Sequence, residues 1–256
     1  MFAPERVSRT LRSGLQQPLR RLLRSSPTAA AFAQDPAGIP APVLLRHLAE
    51  HVFRIRMFRA LDAEATRRIE AEAPEVAAQW ARYARSEAVH DRYFLRDLDA
   101  VGIGRDAVEA LQPFPATREL GAWAAAAMAV YGALPVVLYS FWAEQNSDTG
   151  SAAVIERTRA GFGPLAVRGA AAHRALDDGQ DHPALIDAVL AGLIRDEAGL
   201  LLAIDLLEAI SALIGRYFSE LDAWGRAGGE PLFVTAAAGE HRLATPEAAV
   251  EARTGP

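Results

Sequence analysis

PEVAAQWARYARSEAVHDRYFLRDLDAV, residues Pro74 to Val101, decides the reading of this chain. Taken at spacings of three and four it gives Val76, Trp80, Tyr83, Glu87, His90, Phe94, Leu98 and Val101, the inward stripe of one long helix. Pro74 suits a first helical turn, and Gly102 and Gly104 stop the run. Six of the eight stripe positions are apolar or aromatic, and the two exceptions, Glu87 and His90, are neighbours on it. A Glu-x-x-His pair sets a carboxylate and an imidazole one turn apart on a single face. Burying both without a partner costs several kcal/mol. In helical bundles such pairs are how metal ligands project inward.

The same test applied downstream finds two more interruptions. The uncharged run Ala122 to Ala143 yields Ala127, Val130, Leu134, Val137, Phe141 and then Glu144, its first charge, on a helix kinked near Pro135. The run is long enough to span a bilayer, but it is Ala-rich and contains Gly132 and Pro135. It reads as a buried core helix, and no membrane span is expected. The third cluster is His173-Arg-Ala-Leu-Asp177-Asp178-Gly-Gln-Asp181-His182. His173 with Asp177, and Asp178 with His182, are four apart, yet on an ideal helix the two pairs point roughly 140° apart. Both face one site only if Gly179 or Pro183 distorts the helix. Alternatively, His182-Pro183 is a helix start capped by Asp181.

Around these clusters helical periodicity dominates from about Pro40 to Trp224, with no strand-like alternation and no internal repeat. The expectation is an all-α fold, a single bundle of about seven helices. Residues 43–224 form the helical domain. Residues 1–42 are a basic N-terminal segment and a Pro-rich linker, and 225–256 a loosely ordered tail. Arg6, Arg9, Arg12, Arg20, Arg21 and Arg24, interleaved with Leu11, Leu15, Leu19, Leu22 and Leu23, resemble a presequence or membrane-surface helix. The reading adopted is a basic first helix bent near Pro18 and laid on a cytoplasmic protein.

Composition removes several chemistries. The chain has 256 residues, a formal net charge of −5, no Cys and no Lys. Disulfides, thiolate metal sites and thiol nucleophiles are therefore absent, as are Schiff-base lysines and Walker-type phosphate loops. An acidic balance makes nucleic acid a poor partner. What remains is carboxylate, imidazole, phenol, hydroxyl and Arg chemistry, or something bound. Singly, each cluster has an ordinary reading as a solvated pair, a helix cap or a surface acid. Three clusters on three helices, two of them interrupting apolar stripes, favour a metal site. Oxygen and imidazole ligands without thiolate suit iron or manganese, and carboxylates that bridge suit two ions.

Glu87-Ala-Val-His90, Glu144 within Tyr139-Ser-Phe-Trp-Ala-Glu-Gln-Asn-Ser147, and His173-x3-Asp177-Asp178-x3-His182 resemble the motifs of the haem-oxygenase-like di-iron oxidases and oxygenases. The similarity covers about Val43 to Leu213. It implies a haem-oxygenase-like bundle holding two iron ions, with Glu87, His90, Glu144, Asp178 and His182 as ligands and His173 as a further one. The chain departs from members with a three-His set, in which the last His stands three beyond the Asp. Here residue 180 is Gln, so Asp177 is an alternative to Asp178. Glu50 offers another carboxylate or is a surface group. Tyr83, Tyr131, Trp142 and Arg168 are candidates for the substrate pocket, with Arg168 suited to a substrate carboxylate. The resemblance implies an enzyme in which reduced iron reacts with O2 and a small molecule (an amino acid, fatty acid or amine) undergoes N-oxygenation, oxidative C–C cleavage or desaturation. It leaves open an external electron donor and a homodimer. The alternatives are a non-catalytic helical scaffold of the same fold and a haem- or cofactor-binding relative.

Overall fold

The computed structural model describes residues 2–34 and 38–228, apart from the side chains of residues 147–151, 153 and 176–180. Among the described residues there are eleven α-helices and no strand. They are α1 (Pro4–Ser25), α2 (Pro27–Gln34), α3 (Ala41–Glu72), α4 (Ala77–Glu87), α5 (Asp91–Asp99), α6 (Arg105–Ala110), α7 (Pro115–Tyr131), α8 (Leu134–Phe162), α9 (Arg168–Gln180), α10 (His182–Leu193) and α11 (Glu197–Arg226). Proline in the first turn, where its missing N–H costs nothing, opens α1, α3, α7, α8 and α10.

The count exceeds seven because several long periodic runs are broken. The Pro74–Val101 stripe is divided between α4 and α5 by a tight turn at 88–90, closed by His90 N–H donating to the Glu87 carbonyl at 3.2 Å. Its inward face survives the break, with Trp80, Tyr83, His90, Phe94 and Leu98 all buried. The uncharged run is two helices, not one. Gly132 separates them at φ +66°, and a Cβ there would lie 2.5 Å from the Glu72 carboxylate. Pro135 therefore starts α8 instead of kinking a helix, and α8 runs on to Phe162. Leu134, Val137 and Phe141 keep the buried register, whereas Val130, before the break, is 71% exposed. The stretch after Pro183 is likewise two helices, and Asp196 caps the second by accepting from Gly199 N–H at 2.8 Å.

The described part of 1–42 is no appendage. Helix α1 lies against α10 and α11, and its Val7, Leu11 and Leu15 join the main core with Trp80, Phe141, Ile186 and Ile210. The expected linker holds α2, whose Phe32 packs with Ile39, Leu44 and Tyr217. Arginines of α1 turn outward to acids on neighbouring helices, Arg12 to Asp187 at 3.0 Å and Arg21 to Glu208 at 2.5 Å. Among the described residues, α11 is the one helix long and apolar enough to cross a bilayer. It packs against α1, α7, α8 and α3. The tail from 229 onward lies outside the described residues.

Since Leu11 and Leu15 are fully buried, replacing either by Ala should cost about 2–4 kcal/mol in denaturant unfolding. A cost near zero would show that α1 does not belong to the core.

Candidate metal centre

Two short-range devices dock α9 on α5. Asp97 of α5 accepts hydrogen bonds from Gly169 N–H at 2.6 Å and Ala170 N–H at 2.7 Å, capping α9 from outside its own chain segment. Gly169 also lets the two backbones approach, because a Cβ there would stand 2.0 Å from the Tyr93 carbonyl oxygen. The consequence lies one turn beyond Gly169 on α9 and just before the start of α5. His173 of α9 comes edge-on to His90, with ring centroids 4.0 Å apart.

The second imidazole of that segment reaches the same place by a break in the chain. Asp181 adopts a left-handed conformation at φ 50°, ends α9 and caps α10 by accepting from Ala184 N–H at 3.4 Å. The helix-start reading of His182-Pro183 is therefore the observed one. It resolves the 140° conflict, because His173 and His182 belong to different helices. His182 is buried, and its Nδ1 lies 3.5 Å from both Glu87 Oε1 and Glu144 Oε1. Its Nε2 lies 2.9 Å from Ser86 Oγ, whose own hydrogen is donated to the Tyr83 carbonyl at 2.7 Å. Ser86 thus accepts from Nε2–H, and this fixes the ring with Nδ1 turned to the two carboxylates.

Glu87 is the hinge of the arrangement. Its Oε2 lies 2.8 Å from His90 Nδ1, while its Oε1 faces His182. Two sets of potential ligand atoms, each within 4.8 Å of one another, therefore share this residue: Glu87, His90 and His173, and Glu87, Glu144 and His182. Two three-ligand groups joined by one carboxylate have the layout of a dinuclear site. The donor set is oxygen and imidazole throughout. Tyr83 donates to Glu144 Oε1 at 3.4 Å. Burial, reinforced by the charges of Glu87 and Glu144, holds its phenol well above the ordinary range, so it remains a donor.

The cluster opens on a cavity of about 690 Å³. Its walls include Phe58, Phe94, Trp142 and Ile214, and Trp142 spends its indole N–H on Ser211 Oγ at 3.1 Å. Other expected residues fall elsewhere. Tyr131 ends α7 and is 45% exposed, and Arg168 is exposed at the start of α9; neither lines the cavity. Glu50 is neither ligand nor surface group. It is fully buried and bonded to Arg46 at 2.6 Å, Thr117 Oγ1 at 2.5 Å and Phe114 N–H at 2.9 Å. The side chains of Asp177 and Asp178 lie outside the described residues.

The cavity residues overlooked in the sequence are His47, His51, Arg54 and Asp62, all on α3. The stripe test finds them when run from His47, since His47, His51, Arg54, Phe58, Asp62, Ala65 and Ile69 follow at spacings of three and four. Asp62 is buried, and its Oδ1 has no hydrogen-bond partner among the described residues. Burial, with the charge of Glu87 second, pushes its carboxyl up to about 8. His47 goes the other way, to about 3, through burial and the charge of Arg54.

No protein-family model and no curated protein matches the chain. Among solved structures it is similar to a domain of unknown function with a heme oxygenase-like fold from Shewanella denitrificans OS217. The two share 17% identity at a TM-score of 0.71, over 87% of this chain and 95% of that one. This likeness establishes the fold, an all-α bundle of heme oxygenase-like architecture.

Two outcomes test the site. Calorimetric titration with Mn2+ should give one ion fewer for His173→Ala and none for Glu87→Ala, because Glu87 serves both sets; equal stoichiometry in the two variants would refute the shared-carboxylate geometry. For Asp62 the unfolded carboxyl titrates near 3.8 and the folded one near 8, so the native state retains the proton and stability falls as pH rises between those values. In metal-free protein, Asp62→Asn should flatten the pH dependence of Tm across that window. An unchanged profile would place Asp62 in contact with water.

Proposed function

We propose that the protein is a non-haem di-iron, O2-activating oxidase or oxygenase acting on a small molecule. The observation that carries this reading is the shared Glu87, which joins two oxygen-and-imidazole ligand sets at the edge of an apolar cavity. Glu87, His90 and His173 would hold one ion, and Glu87, Glu144 and His182 the other. The fit rests on the chemistry of the donors. Carboxylates and imidazoles gathered in a bundle interior suit divalent iron, and Glu87 offers a separate oxygen to each side.

Bound iron would supply the reaction with O2; the chain's own groups do the rest. Ser86 keeps the His182 lone pair on the carboxylate side, and Tyr83 anchors Glu144 by a hydrogen bond. Burial raises the Asp62 carboxyl within the cavity, and in its protonated form it would donate a hydrogen bond to a polar guest. Phe58 and Tyr139, stacked at 3.6 Å, together with Phe94 and Trp142, keep water from the remaining wall. A scaffold of the same fold leaves two clustered carboxylates without a role, and a haem-binding relative would use one imidazole and strand the others.

Anaerobic titration of the metal-free protein with Fe2+ should load two ions per chain. Mixing the loaded protein with O2 should then produce a visible absorption band and oxygen uptake at an electrode. Glu144→Ala should abolish the uptake. Trace iron only, or loaded protein inert to oxygen, would remove the assignment.

A further inference from the structure

Arg54 projects into the same cavity from α3 and is 6% exposed. Its guanidinium lies 4.4 Å from the centroid of the Tyr217 ring, and Nη2 donates to His51 Nδ1 at 2.9 Å. The phenols of Tyr139 and Tyr217 hydrogen-bond the guanidinium, but Nη1 is buried with no partner of its own among the described residues, and no carboxylate among them forms an ion pair with Arg54. The imidazoles and phenols around it are held neutral. His51 must accept at Nδ1, since an arginine never does. His47 contacts Tyr217 Oη at 2.7 Å, and burial keeps the Tyr217 phenol protonated, up to about 12. Glu50 is the acid that acts on Arg54 within α3, but its oxygens are already bonded to Arg46, Phe114 N–H and Thr117. The Arg46–Glu50 pair is internally balanced, so Arg54 leaves one net positive charge in a low-dielectric enclosure.

Such a charge is costly, and buried guanidinium groups ordinarily meet a carboxylate in a two-pronged geometry. Here the prong that lacks a partner belongs to a cavity whose walls are mostly aliphatic and aromatic, and Arg174, the other arginine on its lining, is exposed to solvent. A single aromatic ring separates this basic end from the ligand cluster. Phe94 lies 4.9 Å from His51 on one side and 5.7 Å from His173 on the other. We infer that Arg54 is the receptor for the carboxylate of an amphipathic substrate, whose apolar body lies along Phe94 and Phe58 toward Glu87 and Glu144. The identification of the guest as a substrate rests on the di-iron reading; the carboxylate site itself does not, and is tested without metal.

The test uses metal-free full-length protein and a panel of alkanoates and phenylalkanoates, each matched with its neutral amide. Binding is followed by calorimetry and by the rise in Tm. Wild type should bind at least one acid roughly tenfold or more tighter than its amide, the value of one charge-assisted hydrogen bond. Arg54→Gln should erase that preference while leaving amide binding and Mn2+ stoichiometry unchanged, and Arg54→Lys should retain part of it. If Arg54→Gln does not fold, the wild-type Tm shift with acid against amide decides alone. Equal affinity for acid and amide, no binding by any panel member, or inorganic phosphate bound as tightly as the best acid would each overturn the inference. Carboxylate selectivity in a protein that takes up no iron would sink the di-iron reading and leave this site standing.

Discussion

Two glutamates and three imidazoles held together inside a helical bundle define what the rest of this structure must accommodate. Glu87 and Glu144 both lie 3.5 Å from the buried His182 Nδ1, half-buried and close enough for their charges to repel. Without a cation such a cluster would be among the costliest parts of the fold. Compensation by metal turns the same repulsion into affinity, since each carboxylate that destabilises the empty cluster strengthens the loaded one. The surroundings follow that logic. Tyr83 and Asp62 are both pushed toward the protonated form, Tyr83 by burial and both glutamates and Asp62 by burial and Glu87, so neither adds to the negative charge.

Positioning is spread over the whole bundle. Glu87 ends α4, His90 precedes α5, Glu144 sits within α8, His173 within α9 and His182 begins α10. Three of the five lie at or beside helix boundaries, where the chain changes direction and side chains from separate helices can converge. Asp97, buried and raised by that burial though two backbone N–H groups pull it back down, locks one of these approaches. Helices α8, α1 and α4 then back α10, which carries His182.

How much was visible beforehand depended on the range of the interaction. The Glu87–His90 pair was legible because a break in an apolar stripe is a local, periodic signal. Glu144 was legible for the same reason, despite the misplaced helix break, because its register is set within α8 alone. Convergence of His173 and His182 hung on one left-handed residue, Asp181, and spacing could pose that question without answering it. Arg168 stands close in sequence to the third cluster, and this suggested it for a substrate carboxylate, whereas Arg54 carries no such local signal. In space, α9 begins at the surface, while α3 runs along the cavity. The Glu50 network was hidden because its partners Phe114 and Thr117 come from the distant start of α7. The N-terminal segment falls outside the expected 43–224 domain because arginines dominate its composition, whereas its leucines lay α1 on α10 and α11.

The guanidinium at one end of the cavity and the acidic cluster at the other give the enclosed space a direction. A guest with a charged head and an oily tail enters such a space one way round, as a compass needle aligns with a field. Its length would then determine which carbon lies beside the ligands, so the distance along Phe94 and Phe58 would act as a ruler. Regiochemistry would be set by span, without any group that recognises the reacting atom itself.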